Sequence, residues 1–180
     1  MESDRIAQPP GGPSETFLRD AARELGMSIL ASVPEAGPPR PRNMALLAGP
    51  DGSLARYAKI HPFTFGGEHR VYAGGDGIVT VPVEGARVTP FVCYDLRFPE
   101  PFRLAAEDTD LFAIVANWPE ARREHWRTLL RARAIENLCF VAGLNRVGVD
   151  GNGLKYDGES AVLDFLGQPL SEAAGEEGVV

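Results

Sequence analysis

The sequence predicts a layered α/β fold, in which two mixed β-sheets pack face to face and helices cover their outer sides. Short apolar stretches alternate with amphipathic helical stretches along the chain, which is typical of sheets covered by helices. Two pairs of apolar stretches, 43–48 with 54–57 and 78–83 with 86–92, flank short glycine-containing turns and predict β-hairpins. Because hairpin strands are antiparallel and strand–helix–strand units favour parallel pairing, the sheets are expected to be mixed.

The N-terminal part of the chain predicts an irregular start, a helix and a strand. Residues 1–13 are rich in proline and glycine and are not expected to form a regular element. Ser14 is a suitable N-cap for a helix over 15–25, which Gly26 would end. A short apolar strand is expected over 28–33.

The C-terminal half predicts further strands and the strongest helix of the sequence. This helix covers 122–137, and its apolar face consists of Trp126, Leu129, Leu130, Ala134 and Leu138. The remaining predictions are a short helix over 98–107, strands over 111–116, 139–144 and 160–164, a glycine-rich loop over 145–158, and the start of a strand at 178–180.

Length and composition indicate one domain over residues 1–180. The hydrophobic fraction of 44% and the charged fraction of 24% are ordinary for a globular protein. A net charge of −7 argues against binding to nucleic acid or to an anionic membrane surface. Cys93 and Cys139 lie in unlike contexts, and no signal-peptide or membrane-spanning pattern is present, so we expect a cytoplasmic protein.

The turn at Cys93 is the first candidate for chemistry. The apolar stretch 86–92 ends there, and a polar turn and a prospective helix follow. A side chain at such a turn is held by rigid elements and faces a cleft, and the backbone N–H groups that follow can stabilise a developing negative charge. The alternative is that Cys93 is an ordinary buried thiol, as most free cysteines are.

Two charged residues in a long irregular stretch could complete a nucleophilic site with Cys93. Residues 58–77 hold Lys59 and Glu68 among glycines and aromatics, and irregular stretches of this length are uncommon and often functional. A lysine cation would lower the pKa of the thiol and stabilise an oxyanion, and a carboxylate could act as base or hold the lysine. Alternatively, Lys59 is a solvated surface residue and Glu68 a turn residue.

Neither a metal nor a cofactor is expected. His61, His69 and His125 lack ligand spacing with cysteine or acidic residues. The sequence has neither the glycine-rich strand–helix unit of dinucleotide-binding proteins nor a P-loop. His61 could form a dyad with Cys93, but a structural hydrogen bond is at least as good an interpretation of its position.

Motifs spread over nearly the whole chain resemble the nitrilase-type carbon–nitrogen hydrolase family and are most similar to its omega-amidase branch. The family motifs lie at residues 56–63, 68–75, 92–99 and 131–137. The branch motifs lie at 115–119, 125–126 and 145–148. That branch hydrolyses the terminal amides of short dicarboxylic or keto-acid monoamides, so the resemblance implies a small amide substrate.

The resemblance also implies a fold, an assembly and a role for each candidate residue. The family fold is a four-layer α-β-β-α sandwich, which forms homodimers through helices. Cys93 would be the nucleophile, and Lys59 would form the oxyanion hole together with the backbone N–H of Tyr94. Glu68 matches the second, supporting glutamate of the family. The residues expected to line the substrate pocket are Asn117 and Trp118.

One family residue has no match in this sequence. The catalytic triad of the family begins with a glutamate in a Pro-Glu turn after the first strand, ahead of the helix at 15–25. Glu2 has no strand before it, and Glu35 follows the next strand, one element too late. The first strand and the C-terminal tail are therefore expected to be missing. Two hypotheses follow, namely an amidase that works through a thioester on Cys93, and a catalytically impaired domain that acts as a non-catalytic binding module.

Overall fold

The computed structural model describes residues 3–173 and 175–178. The helices are α1 (Ser3–Ile6), α2 (Pro13–Leu25), α3 (Pro99–Ala105) and α4 (Arg123–Asn137). The strands are β1 (Ile29–Glu35), β2 (Arg42–Ala48), β3 (Leu54–Ala58), β4 (Val81–Val83), β5 (Ala86–Val92), β6 (Leu111–Ala116), β7 (Phe140–Asn145), β8 (Val147–Val149), β9 (Lys155–Asp157), β10 (Ser160–Leu163) and β11 (Pro169–Ala173). None of the helices in this part of the chain is long and apolar enough to cross a membrane.

The strands form two main sheets, one antiparallel and one mixed. β1, β2 and β3 follow one another in an antiparallel sheet of three strands. The second sheet has six strands in the order β11-β10-β7-β6-β5-β4, with a parallel centre of β5, β6 and β7. Both predicted hairpins are present, and Glu84 and Gly85 form the second turn with positive φ angles of 50° and 90°.

The two sheets and the helices stack in four layers. On one face of β2, Met44 and Leu46 pack against Leu18 and Ala22 of α2. On its other face, Ala45 belongs to the core that joins the two sheets. The outer side of the six-stranded sheet is covered by α3 and α4, whose buried side chains include Phe102, Trp126 and Leu130. The predicted α-β-β-α sandwich is confirmed.

The start of the chain is more regular than predicted. Residues 3–6 form one helical turn, and α2 begins at Pro13 with Gly12 at the N-cap, so Ser14 is not the cap. Proline suits the first helical position because its fixed φ is already helical and it has no N–H to satisfy. The side-chain carbonyl of Gln8 accepts the backbone N–H of Ser14 (2.8 Å), a first-turn donor that a capping side chain would otherwise take.

Two strand features near the C-terminus differ from the predictions. The expected loop over 145–158 contains the hairpin of β8 and β9, whose turn is fixed by the side chain of Asp150. The edge strand β11 carries polar side chains and was not predicted. The start of a strand expected at 178–180 falls mostly on Val179 and Val180, which lie outside the described residues.

Candidate active site

The six residues singled out from the sequence line one cleft. It lies between the inner face of the three-stranded sheet and the carboxyl ends of β5, β6 and β7, and its volume is about 1070 Å³. Parallel strands bring the residues that follow them to the same edge of a sheet, which explains why positions far apart in sequence meet here. The six residues are Lys59, Glu68, Cys93, Tyr94, Asn117 and Trp118.

Cys93 occupies the first position after β5, in a strained conformation. Its φ angle is +47°, which side chains other than glycine rarely adopt, and a short 3₁₀-helix (Cys93–Arg97) follows. The thiol points at the backbone carbonyl of Asn117, with 3.8 Å between Sγ and the oxygen. Burial raises the pKa of the Cys93 thiol, and the nearby Lys59 cation only partly opposes this. Burial at this position therefore disfavours the thiolate form.

Lys59 and Glu68 form a buried ion pair in the wall of the cleft. Lys59 Nζ lies 2.6 Å from Glu68 Oε2, and the two residues are 3% and 7% exposed. Glu68 also accepts the backbone N–H of Phe63 (2.6 Å) and the side-chain amide of Asn43 (3.1 Å). Burial acts to raise the pKa of Glu68, but the Lys59 charge and these hydrogen bonds outweigh it, so the pKa is lowered. The geometry favours the interpretation of Glu68 as the residue that holds the lysine.

The end of β6 supplies the opposite wall. Trp118 is buried, and its backbone N–H donates to the side-chain carbonyl of Asn145 (2.7 Å), while its indole N–H donates to the carbonyl of Arg122 (2.8 Å). Asn117 is exposed and directs its backbone carbonyl at Cys93. Tyr94 is half-buried, and its N–H lies in the first turn of the 3₁₀-helix, where no earlier carbonyl of that helix can accept it.

Sequence reasoning gave no role to three polar residues that fix the site. Asn43 holds Glu68, and its backbone carbonyl accepts the N–H of Lys59 (2.9 Å). Asn145 joins Trp118 to the carbonyl of Gly158 through its side-chain amide (2.7 Å). Asp95 is fully buried behind Cys93. Asn145 and Asp95 lie inside the motifs at 145–148 and 92–99, so the sequence could have indicated a role for them. Asn43 lies in an ordinary hairpin strand, and its sequence context gives no such indication.

Three arginines line the cleft, together with the acidic residues Asp150, Glu176 and Glu177. The guanidinium groups of Arg97, Arg122 and Arg146 lie over the rings of Trp118, Phe63 and Tyr156, at 4.8, 5.5 and 4.7 Å from the ring centroids. Among the described residues, none of the three forms an ion pair with a carboxylate. A stacked guanidinium without a carboxylate partner is well suited to bind an anionic ligand.

Other candidates from the sequence do not reach the cleft. Glu35 pairs with Arg56, which also contacts Glu15, on the opposite side of the three-stranded sheet from Lys59. His61 Nδ1 is hydrogen-bonded to Asp95 (3.0 Å), so the structural interpretation of this histidine is confirmed. Glu2 lies outside the described residues.

Comparison with known proteins gives consistent matches. Residues 2–180 match the carbon–nitrogen hydrolase family. The chain is 48% identical over 149 residues to omega-amidase YafV of Yersinia enterocolitica, with 83% of this chain and 56% of the relative covered. It is 41% identical over 177 residues to a 2-oxoglutaramate amidase of Paenarthrobacter nicotinovorans, with 92% and 60% covered. The chain thus spans a little over half the length of these curated relatives.

Two solved structures superpose well on the fold. One is a carbon–nitrogen hydrolase superfamily protein of Xanthomonas campestris with an arsenic adduct in its active site. It superposes with a TM-score of 0.95 at 49% identity, and the alignment covers 100% of this chain and 71% of that chain. An amidase of Nesterenkonia sp. AN1 has a TM-score of 0.84 at 32% identity, with 92% of this chain and 66% of that chain covered. One structure of that amidase records addition of acrylamide at the active-site cysteine.

Proposed function

Because the chain belongs to the carbon–nitrogen hydrolase family, we propose that it hydrolyses a small amide to a carboxylic acid and ammonia through a thioester on Cys93. The observation that carries the proposal is the placement of Cys93, on a strained strand-end turn, in the same cleft as the buried Lys59–Glu68 pair. Omega-amidase and 2-oxoglutaramate amidase relatives support the same reaction class.

In this mechanism Cys93 Sγ attacks the amide carbon, and the proton of the thiol is passed to the amide nitrogen. The carbonyl oxygen becomes negatively charged and is stabilised by the Lys59 ammonium and the backbone N–H of Tyr94. The C–N bond then breaks, and the nitrogen, having taken up this proton, leaves as ammonia. Water attacks the thioester, the C–S bond breaks, and the acid and the free thiol are released. Glu68 holds the lysine in place, and its own position is fixed by the three hydrogen bonds that its oxygens accept.

We propose a carboxylate on the substrate, at the end opposite to the amide. The support for this is the set of Arg97, Arg122 and Arg146, which line the cleft and form no ion pair with a carboxylate among the described residues. A guanidinium can bind a carboxylate through two parallel hydrogen bonds. The terminal monoamide of a short dicarboxylic or keto acid combines both groups, and Asn117 and Trp118 would line its path between the arginines and Cys93.

Ammonia release tests the function. Succinamic acid and butyramide have closely similar shapes, but only the former carries a carboxylate, so their comparison isolates the charge. We expect release from succinamic acid that Cys93→Ala abolishes, and a weaker release from butyramide. Replacing one of the three arginines by methionine should raise KM for succinamic acid by about tenfold and leave butyramide unaffected. No Cys93-dependent release from folded protein would contradict the proposal and favour a non-catalytic binding module.

We further propose that the protein acts as a cytoplasmic homodimer. Both cysteines are free thiols, which fits a reducing compartment. The end of α4 exposes Ile135 and Leu138, and next to it the rings of Phe140 and Phe165 contact each other at 5.8 Å. A second copy of the chain would cover this apolar patch. Ile135→Glu should convert a dimer to a monomer in sedimentation analysis, and a wild-type monomer at all concentrations would contradict this proposal.

A further inference from the structure

Four hydrogen bonds converge on one carboxylate directly behind the candidate nucleophile. Asp95 is fully buried, and its Oδ2 accepts the hydroxyl of Tyr57 (2.8 Å) and the backbone N–H of Val92 (3.2 Å). Its Oδ1 accepts the backbone N–H of His61 (2.8 Å) and contacts His61 Nδ1 (3.0 Å). We refer to Asp95, Tyr57, His61 and Val92 together as the Asp95 junction.

The Asp95 junction connects the two segments that carry Lys59 and Cys93. Tyr57 and His61 lie two residues to either side of Lys59, and Val92 and Asp95 flank Cys93 within two residues. A second contact reinforces the link, since the ring of His61 stacks on Phe98 with 3.7 Å between centroids and an interplanar angle of 7°. The backbone N–H of Ile60 also donates to the Tyr57 hydroxyl (3.3 Å). The segment around Lys59 and the segment around Cys93 are therefore both hydrogen-bonded to the Asp95 carboxylate.

The position of Asp95 is electrostatically unfavourable for the thiolate. Its negative charge adds to the effect of burial and acts to raise the pKa of Cys93. Burial, followed by the Asp95 charge, also raises the pKa of Tyr57, so the phenol remains a donor. The Asp95 charge opposes thiolate formation, so its role must lie in its four hydrogen bonds. These bonds fix the relative position of the two segments, and a neutral side chain would not accept all four donors.

We propose that Asp95 is a positioning residue that holds the Lys59 ammonium in register with Cys93, which makes the thiol reactive. This inference rests on the proposed function of Lys59 and Cys93, and it adds the group that sets the distance between them. Small displacements matter here, since a misplacement of about 1 Å can cost about 10²-fold in rate.

Alkylation of Cys93 by iodoacetamide tests this proposal without requiring turnover. The rate constant is measured at about pH 8 by mass spectrometry of the Cys93 peptide. Loss of the Asp95 charge alone would accelerate alkylation, because it would lower the pKa of the thiol. The proposal predicts the opposite sign, with Asp95→Asn alkylated about tenfold more slowly than the wild type. A rate equal to or above that of the wild type would overturn it.

A double-mutant cycle separates positioning from general destabilisation. If Asp95 acts through Lys59, Asp95→Asn should no longer slow alkylation in a Lys59→Gln background, where only the direct, accelerating effect of the lost charge remains. An undiminished tenfold effect in that background would refute the proposal.

Thr109→Val is the matched control, because it removes a buried hydroxyl bonded to Ala105 and Thr89 away from the cleft. It should lower Tm but keep the Cys93 rate within about twofold. An equal slowing in this control would refute positioning.

Two further outcomes keep the test decisive. If Asp95→Asn does not fold, Tyr57→Phe removes one of the four donors and keeps the ring in the core, and it should slow alkylation by about threefold. A wild-type rate in folded Tyr57→Phe would then contradict the proposal. Absence of Cys93-dependent ammonia release from the wild type, with the alkylation pattern as expected, would refute the proposed amidase function alone.

Discussion

Two ionic clusters on the first β-sheet use the same types of residues and differ in where they lie. Arg56 of β3 pairs with Glu15 and Glu35, and its side chain is 30% exposed. Lys59, three residues later, pairs with Glu68 in the cleft, and its side chain is 4% exposed. Desolvation makes the second pair sensitive to any loss of charge, and the open cleft makes it available to a substrate. Burial beside a cavity therefore distinguishes the pair with a proposed catalytic role from the outer cluster better than residue type does.

The largest expected effect comes from removing the charge of Glu68. Glu68→Gln leaves the buried Lys59 cation without its anion, which should lower the free energy of unfolding by about 3–5 kcal/mol. Ammonia release from succinamic acid should fall by about 10²-fold because the lysine is no longer held in place. Urea unfolding and steady-state kinetics measure the two effects. Unchanged values for both would remove the distinction between the clusters.

Lys59→Gln should have a smaller effect, on the pH dependence of Cys93. Burial raises the pKa of this thiol above its ordinary value of 9.0, and Lys59 acts to lower it. The alkylation rate of the wild type should therefore still rise with pH at 9.0, and Lys59→Gln should shift the profile to higher pH. Arg56→Gln is the matched control in the other cluster, and a similar shift there would contradict the assignment of Lys59.

Acid should weaken both clusters. The pKa of Glu68 is lowered despite its burial, chiefly by Lys59, and the pKa of Glu15 is lowered despite its burial by the N–H of Gly11, Arg19 and Arg56. A carboxyl group whose folded-state pKa lies below its ordinary 4.5 contributes stability that is complete above 4.5 and is lost as pH falls through the folded value. Glu68→Gln and Glu15→Gln should each flatten the acid limb of the free energy of unfolding against pH. A limb as steep as in the wild type would contradict the lowered pKa.

The fold could be predicted where local pattern and tertiary environment agree. The hairpin turn at Glu84-Gly85 requires positive φ angles, and the structure has them. Strand β6 matches its predicted bounds because it lies between β5 and β7 in the sheet and none of its residues is exposed. The hairpin of β8 and β9 was missed because it depends on hydrogen bonds from the Asp150 side chain to the N–H groups of Asn152 and Leu154, which composition does not reveal.

The reactive and charged residues of the candidate site could be predicted from the sequence, but the residues that hold them in place could not. Cys93, Lys59 and Glu68 have reactive or charged groups that draw attention in any sequence. Asn43 looks like an ordinary strand residue, and its function depends on a contact with Glu68 across 25 positions of the chain. Leu138, which is 71% exposed, is predicted to lie on the apolar face of α4, because helical periodicity does not specify how far the packing partner extends.

The smallest expected effect belongs to the outer cluster and completes the contrast with Glu68. Glu35→Gln removes one of the two carboxylates that Arg56 contacts, while Glu15 continues to pair with the guanidinium. Because the Arg56 side chain is partly exposed, water replaces the lost interaction, and the free energy of unfolding should change by less than about 1 kcal/mol. The alkylation rate of Cys93 should equal that of the wild type. A loss of reactivity in Glu35→Gln would mean that the outer cluster also shapes the cleft, and the separation of the two pairs by burial would then fail.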